Sequence, residues 1–380
     1  MLKKVFITQT NCITPLGLDV AANVKNIKSG CTGIQKHSDV SLLKSPFYAA
    51  ILNDAILDAA FAKIEQFDSY TKLEKMMILA LHPIVDKAKV NNRTAFILST
   101  TKGNITSLEN QSNSIEAAQL HTLAKKVADF FDFKTQPIVV SNACVSGVLA
   151  IAVAKRLIQS DLYDNVFVVA GDLVSKFVLS GFNSFQAMSD LPCQPYSVNR
   201  TGVNLGEATA AVLITSEEEN AKVQIVGDGA INDANHISGP SRTGEGLFLS
   251  IQDAMNEANI SSAKIDYISA HGTATSFNDE MEAIAFNRLG FQDVPINSLK
   301  GYYGHTLGTS GLLETVIGIE SMLQNTLFVS HGFDEMGVSE PINIIQKNEE
   351  KNIEFFLKTA SGFGGCNTAV IFKKVKSYGK

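Results

Sequence analysis

The chain has 380 residues, 45% hydrophobic and 18% charged, with a formal net charge of −6 at pH 7. That suits a soluble globular protein with one very large core or two. The acidic balance, with no basic stripe, argues against nucleic acid as the main partner, and no apolar run approaches the ~20 residues of a membrane span.

Met1-Leu-Lys-Lys-Val-Phe-Ile-Thr reads as the approach to a first strand, because it lacks the long apolar core of a signal peptide. Short β-rich runs then predict strands at Val5–Gln9, Thr94–Ser99, Pro137–Val140, Val166–Ala170, Ala210–Thr215, Lys222–Gly227, Tyr267–Ala270, Phe355–Lys358 and Thr368–Phe372. Longer periodic stretches predict helices at Val148–Ser160, Glu245–Ala258, Asp279–Leu289 and Gly311–Gln324. In the first of these, Val148, Ile151, Ala152, Ala154, Leu157 and Ile158 cover most of the helix surface, as in a helix buried on nearly all sides. The alternation predicts α/β layers. The acidic stretch Ser216-Glu-Glu-Glu-Asn220 is either the boundary between two halves, 1–218 and 219–380, or a plain solvated turn. No short repeat is visible in the residues.

Five scattered cysteines without a CxxC pair argue against a disulfide framework and a zinc site, and for reduced thiols in the cytoplasm. Cys12, Cys31 and Cys193 read as small buried hydrophobes. Cys144 differs. It lies in Ser-Asn-Ala-Cys-Val-Ser-Gly between the apolar run Pro137–Val140 and a helical stretch. At such a corner the helix-end amides favour thiolate, the nucleophilic form. The small neighbours Ala143, Ser146 and Gly147 leave room for a bulky acyl group. His37, His82, His121, His236 and His331 read as surface or structural residues. His271, at the end of an apolar strand, and His305, in Gly304-His-Thr-Leu-Gly308, stand where α/β proteins assemble sites. Lys300, five residues before His305, is placed to orient a histidine or tune its charge.

Several ordered blocks then coincide: Ile13-Thr-Pro-Leu-Gly17 loosely, and with more detail Asn142-Ala-Cys-Val-Ser-Gly147, Asn199-Arg-Thr-Gly-Val-Asn-Leu-Gly-Glu207, His271-Gly-Thr-Ala-Thr-Ser-Phe-Asn-Asp279, Ser298-Leu-Lys-Gly-Tyr-Tyr-Gly-His-Thr-Leu-Gly308 and Ser361-Gly-Phe-Gly-Gly-Cys-Asn367. Together they resemble the elongating Cys-His-His class of β-ketoacyl-acyl carrier protein synthases. The resemblance implies a thiolase-type duplicated αβαβα five-layer sandwich, usually a homodimer. It implies decarboxylative Claisen condensation of a Cys144-bound acyl chain with a malonyl-carrier protein, in fatty acid or polyketide-type elongation. His271 and His305 would hydrogen-bond the malonyl thioester oxygen. The N–H groups of Cys144 and Phe363 would form the oxyanion hole, with Phe363 as gate. Lys300 would be held by Glu314, with Asp279 and Glu282 in supporting roles, and Thr273 and Thr275 on the pantetheine arm. Arg200 reads as either a partner contact or a structural ion pair, with the structural role favoured.

No metal or resident cofactor is implied; substrates would arrive on the phosphopantetheine of an acidic acyl carrier protein. A basic rim for that partner is expected, with Lys72, Lys75 and Lys87 as candidates. Three departures stand out: the stretch between Ser99 and Pro137 is short, Thr309-Ser310 replaces a more usual alanine pair, and Cys366 stands where threonine is common. Cys366 raises a thiolase as rival, which Lys300 and His305 disfavour. His305, where the priming synthases carry asparagine, disfavours that class as well. A subunit of a heteromeric ketosynthase/chain-length-factor complex is the other alternative.

Overall fold

A computed structural model describes residues 3–65, 69–86, 89–109, 115–233 and 239–375. Lys87 and His236, weighed above, lie outside the described residues. An 11-stranded sheet runs through the molecule. Its strands are β1 (Val5–Ile13), β2 (Thr94–Ser99), β3 (Ile138–Val140), β4 (Asn165–Asp172), β5 (Ala208–Thr215), β6 (Val223–Asn232), β7 (Tyr267–Ser269), β8 (Pro295–Asn297), β9 (Asn343–Ile344), β10 (Phe355–Gly362) and β11 (Cys366–Lys374). Their spatial order is β9-β8-β7-β10-β11-β6-β1-β5-β4-β2-β3.

That order repeats itself. Outward from β1 it runs β1-β5-β4-β2-β3; outward from β6 it runs β6-β11-β10-β7-β8, with β9 added at the edge. In each set the first two pairings are antiparallel and the last two parallel. The two sets join where β1 pairs with β6. The duplication, invisible as a repeat of residues, is thus plain in the topology, because a fold constrains burial and pairing rather than residue identity. The acidic Ser216–Asn220 stretch falls in the link between β5 and β6.

Seven helices matter for the site: α1 (Lys72–Leu81), α2 (Leu120–Phe130), α3 (Ser146–Gln159), α4 (Lys176–Ser184), α5 (Glu245–Ala258), α6 (Ser276–Arg288) and α7 (Ser310–Leu323). α3 follows β3, and α7 follows the matching strand β8 after two short helical turns, Lys300–Tyr303 and Leu307–Thr309. Both lie between the two strand sets, in contact with each other and with strands of each. α1 and α2 cover one outer face; α5, with α6 against it, covers the other. The result is the five-layer α/β sandwich of the thiolase type. Every residue of α7 except Glu320 and Leu323 is buried, as its all-round apolar surface requires.

The two central helices cross near their N-termini. A Cβ on Gly147 would lie 2.7 Å from the Gly308 carbonyl oxygen and 2.8 Å from the Leu312 nitrogen; one on Gly311 would lie 2.7 Å from the Val148 nitrogen. Only glycine allows this approach, and it brings the start of α3 against the start of α7.

Two expectations need correction. Cys31 is exposed, not buried. The region before β2 carries a helix, α1, that the reading of the sequence passed over, although Thr71 and Glu74 form a reciprocal capping box at its start. Among the described residues no helix is long and apolar enough to cross a membrane.

Candidate active site

β3 ends at Val140, and the chain turns through Ala143, whose φ of 43° is left-handed. Such a backbone costs on the order of 1–3 kcal/mol in a non-glycine residue and must be held from outside. Ser146 holds it: its Oγ accepts the Asn142 N–H at 2.8 Å and donates to the Ala143 carbonyl at 2.6 Å. Cys144 therefore stands at the corner just ahead of α3, and is buried.

His305 comes from the turn ahead of α7. Its backbone is clamped by the Asn204–Gly206 segment: His305 N–H donates to the Asn204 carbonyl at 2.6 Å, and Gly206 N–H to the His305 carbonyl at 3.0 Å. Its Nε2 lies 3.1 Å from Cys144 Sγ. His271 follows β7, and its ring stands edge-on to that of His305 with centroids 5.3 Å apart. The thiol and both imidazoles line one cavity of about 440 Å³.

The electrostatics differ from the sequence expectation in one respect. Burial first, and Cys366 next, push the Cys144 thiol up to about 12, against a smaller opposing pull from Lys300. This direction runs against the thiolate that the helix end was expected to favour, because burial disfavours an anion. His305 and His271 are both held well below the ordinary 6.5, chiefly by burial and then by the Lys300 charge. The resting pair is thiol beside neutral imidazole.

Lys300 is fully buried. Its Nζ donates to the His271 carbonyl at 2.5 Å, lies 3.4 Å from His271 Nδ1, and pairs with Glu314 Oε1 at 2.8 Å. Lys358, which the sequence reading did not single out, reaches the other oxygen of Glu314 at 2.5 Å and donates to the carbonyls of Ser269 (3.0 Å) and Ala270 (3.2 Å). The signal was available: a lone lysine in the apolar run Phe355-Phe-Leu-Lys-Thr-Ala360 needs a buried partner.

The acids of α6 fix the loop that carries His271. Glu282 accepts the N–H groups of His271 (2.9 Å) and Gly272 (2.7 Å) and the Tyr196 hydroxyl (3.0 Å). Asp279 accepts from Thr273 N–H at 2.9 Å and Tyr196 N–H at 2.7 Å. Asp279 is wholly buried, and that burial pushes it up to about 6. The Arg200 guanidinium lies 3.9 Å from Asp279 and donates to the Ser197 and Gly337 carbonyls.

Thr273 and Thr275 line the cavity, their hydroxyls 2.8 Å apart. Phe363 is at the tip of the β10–β11 hairpin, 38% exposed, with its ring 5.8 Å from Phe182 and 5.4 Å from Phe185. A Cβ on the preceding Gly362 would lie 3.0 Å from the Cys144 nitrogen, so this hairpin lies directly against the nucleophile corner.

Two candidates fall outside this constellation. Lys72 bridges Asp54 (2.8 Å) and buried Glu207 (2.7 Å), and Lys75 pairs with Asp58 (2.8 Å). Both serve ion pairs of the fold rather than a free basic rim.

A buried thiol and two imidazoles thus converge from opposite halves of a thiolase-type sandwich. Comparison with known families narrows its chemistry. The family model described as beta-ketoacyl synthase, N-terminal domain, matches residues 2–220, and that described as beta-ketoacyl synthase, C-terminal domain, matches residues 223–334. The chain belongs to the β-ketoacyl synthase family of condensing enzymes. It is 25% identical to 3-oxoacyl-[acyl-carrier-protein] synthase 2 of Staphylococcus aureus (strain N315) over 99% of both chains. It is 32% identical to the synthase of that name from Rhizobium meliloti, over 62% of this chain and 60% of that one. Among solved structures it resembles the ketosynthase of Xenorhabdus doucetiae in complex with its chain length factor, with a TM-score of 0.86 at 24% identity over 98% of each chain; this likeness shows the fold.

Proposed function

We propose that the chain is a 3-oxoacyl-acyl carrier protein synthase of fatty acid or polyketide-type chain elongation, working on chains carried by the phosphopantetheine of an acyl carrier protein. The observation that carries this reading is the 3.1 Å contact between Cys144 Sγ and His305 Nε2, in one cavity with His271.

In the first half-reaction the Cys144 proton passes to His305 Nε2 as sulfur attacks the acyl thioester carbonyl. The carrier thiolate departs and takes that proton. In the second, the malonyl group loses carbon dioxide, and the enolate oxygen is stabilised by N–H groups of His271 and His305. The carbanion attacks the Cys144 thioester, whose oxyanion the amides of Cys144 and Phe363 receive, and Cys144 leaves as thiolate to be reprotonated. Lys300, held by Glu314 and set against the His271 carbonyl and ring, keeps that imidazole neutral and oriented, while Glu282 and Asp279 hold its loop. Thr273 and Thr275 suit the polar pantetheine arm, and Phe363, at a hairpin tip between glycines, suits a gate.

The five free cysteines suit a reducing compartment, the cytoplasm. A homodimer is the simplest assembly; a heterodimer with a second ketosynthase-like subunit is the second reading, favoured by the partnered Xenorhabdus doucetiae structure. A thiolase role is disfavoured by the buried Lys300 and by His305 against Cys144, while the Cys366 thiol donates to the Phe363 carbonyl at 3.3 Å.

The test is acylation from a panel of acyl-carrier proteins followed by mass spectrometry. A thioester mapping to Cys144, lost in Cys144→Ala, is expected. Acylation at another residue would end this reading. Purification alone and with candidate partner subunits separates homodimer from heterodimer.

A further inference from the structure

His305 is engaged at both ring nitrogens. Nε2 faces Cys144 Sγ, and Nδ1 lies 3.0 Å from the hydroxyl of Ser310, the first residue of α7. Ser310 Oγ is in turn 3.1 Å from Thr306 Oγ1, and both residues are 1% exposed. Ser310 belongs to the Thr309-Ser310 pair already noted as a departure.

A neutral imidazole carries a single N–H. Whatever sits at Nδ1 therefore decides what Nε2 presents to the cavity. An amide N–H there would only donate, and a carbonyl would only accept. A hydroxyl does either. Two arrangements satisfy His305 Nδ1 and the Ser310 hydroxyl. In one, Nδ1–H donates to Ser310, Ser310 donates to Thr306, and Nε2 is a bare base facing Cys144. In the other, Thr306 donates to Ser310, Ser310 donates to bare Nδ1, and Nε2 carries the N–H. The first arrangement suits removal of the Cys144 proton, and the second suits an enolate oxygen.

We infer that Ser310 is a positioning residue that gives His305 access to both tautomers, one for each half-reaction. The inference rests on the function proposed above. Protons balance. The proton taken from Cys144 at Nε2 leaves with the carrier thiol. Tautomer exchange gives one proton from Nδ1 to water and takes one from water at Nε2, between departure of one carrier and arrival of the next; after condensation the Cys144 thiolate takes the Nε2 proton and Nδ1 regains one from water, which restores the starting thiol and tautomer.

The variant Ser310→Ala leaves Nδ1 without a partner in either tautomer; a buried N–H without an acceptor is the costlier of the two, so the tautomer with N–H on Nε2 should dominate. General-base assistance is worth roughly 10²–10⁴-fold, so acylation of Cys144 should fall about tenfold or more, while decarboxylation of malonyl-carrier protein falls less than about threefold. Nitrogen-15 NMR of labelled histidines reads the tautomer directly, with the His305 signals assigned by their loss in His305→Asn. Wild type should show shifts averaged between the tautomers, and Ser310→Ala those of Nε2–H alone. Thr306→Val, which takes away the far end of the chain, should shift the ratio of the two rates in the same direction. If both half-reactions fall together and the His305 tautomer is unmoved, the hydroxyl only packs and the inference is wrong. Failure of wild type to acylate at Cys144 would instead overturn the functional reading.

Discussion

Replacing Glu314 by glutamine tests the buried charge cluster behind His271. One carboxylate faces two ammonium groups, Lys300 at 2.8 Å and Lys358 at 2.5 Å, and the three side chains are 0–3% exposed. Removing one partner of a buried pair costs about 3–5 kcal/mol, because a desolvated charge is left without compensation. Two such losses do not simply add. Burial already depresses Lys358, so one lysine can shed its proton and cap the penalty near the single-pair figure. Urea unfolding at pH 7 should therefore show Glu314→Gln less stable by about 3–5 kcal/mol. Lys358→Met also removes the Lys358–Glu314 bond and the hydrogen bonds to two carbonyls, but Glu314 keeps Lys300 and no buried charge is left uncompensated, for a cost of roughly 1–3 kcal/mol. The sign with pH follows. A lysine depressed in the fold binds fewer protons there than in the unfolded chain, so stability rises as pH climbs toward 10.5. That rise should be steeper in Glu314→Gln, where the carboxylate no longer supports the charged lysines. A loss below about 1 kcal/mol in Glu314→Gln, or an equal loss in Lys358→Met, would refute the reasoning.

Other expectations follow from the same contacts. Gly147→Ala places a methyl 2.7 Å from the Gly308 carbonyl; it should cost about 1–3 kcal/mol in urea unfolding and, by spreading α3 from α7, slow acylation of Cys144. Unchanged stability and rate would show that the helix crossing is not tight. His271 and His305 are depressed below 6.5 in the fold, so on acidification the unfolded chain takes up their protons first. Their share of stability is present above pH 6.5 and is lost as pH falls below it, with a slope of up to about 1.4 kcal/mol per pH unit for each histidine. The double variant His271→Asn/His305→Asn should lose stability less steeply between neutral pH and about pH 5; parallel curves would contradict the assignment.

Much of the fold is legible because burial writes itself locally. β2 (Thr94–Ser99) and α5 (Glu245–Ala258) have the bounds that the apolar pattern predicts. The longer strands run past their predicted ends, as β1 does to Ile13 and β10 to Gly362, since polar residues such as Thr, Asn and Lys continue a ladder when neighbouring strands pair with them. The turn chemistry around Cys144, His271 and His305 is equally local: small residues and glycines mark each corner. The local sequence marks Lys358 as a lysine in an apolar run and Ser310 as a departure from an alanine pair, but the contacts that give each its role are remote in the chain. The first meets Glu314 44 residues away, and the second serves a histidine whose own target is 161 residues distant.

By itself, then, the order of residues marked the longer apolar strands and four of the helices, the corner that carries the sulfur and the loops that carry the imidazoles. Tertiary structure decided what those groups are chemically. The duplicated sheet brings two helix starts together at Gly147 and Gly311, and the enclosure thus made raises the thiol and lowers both imidazoles; on the outer helix α1, Lys72 and Lys75 meet carboxylates remote in the chain. Acidity and pairing depend on the dielectric and charges around a group, and those are supplied by residues remote in the chain.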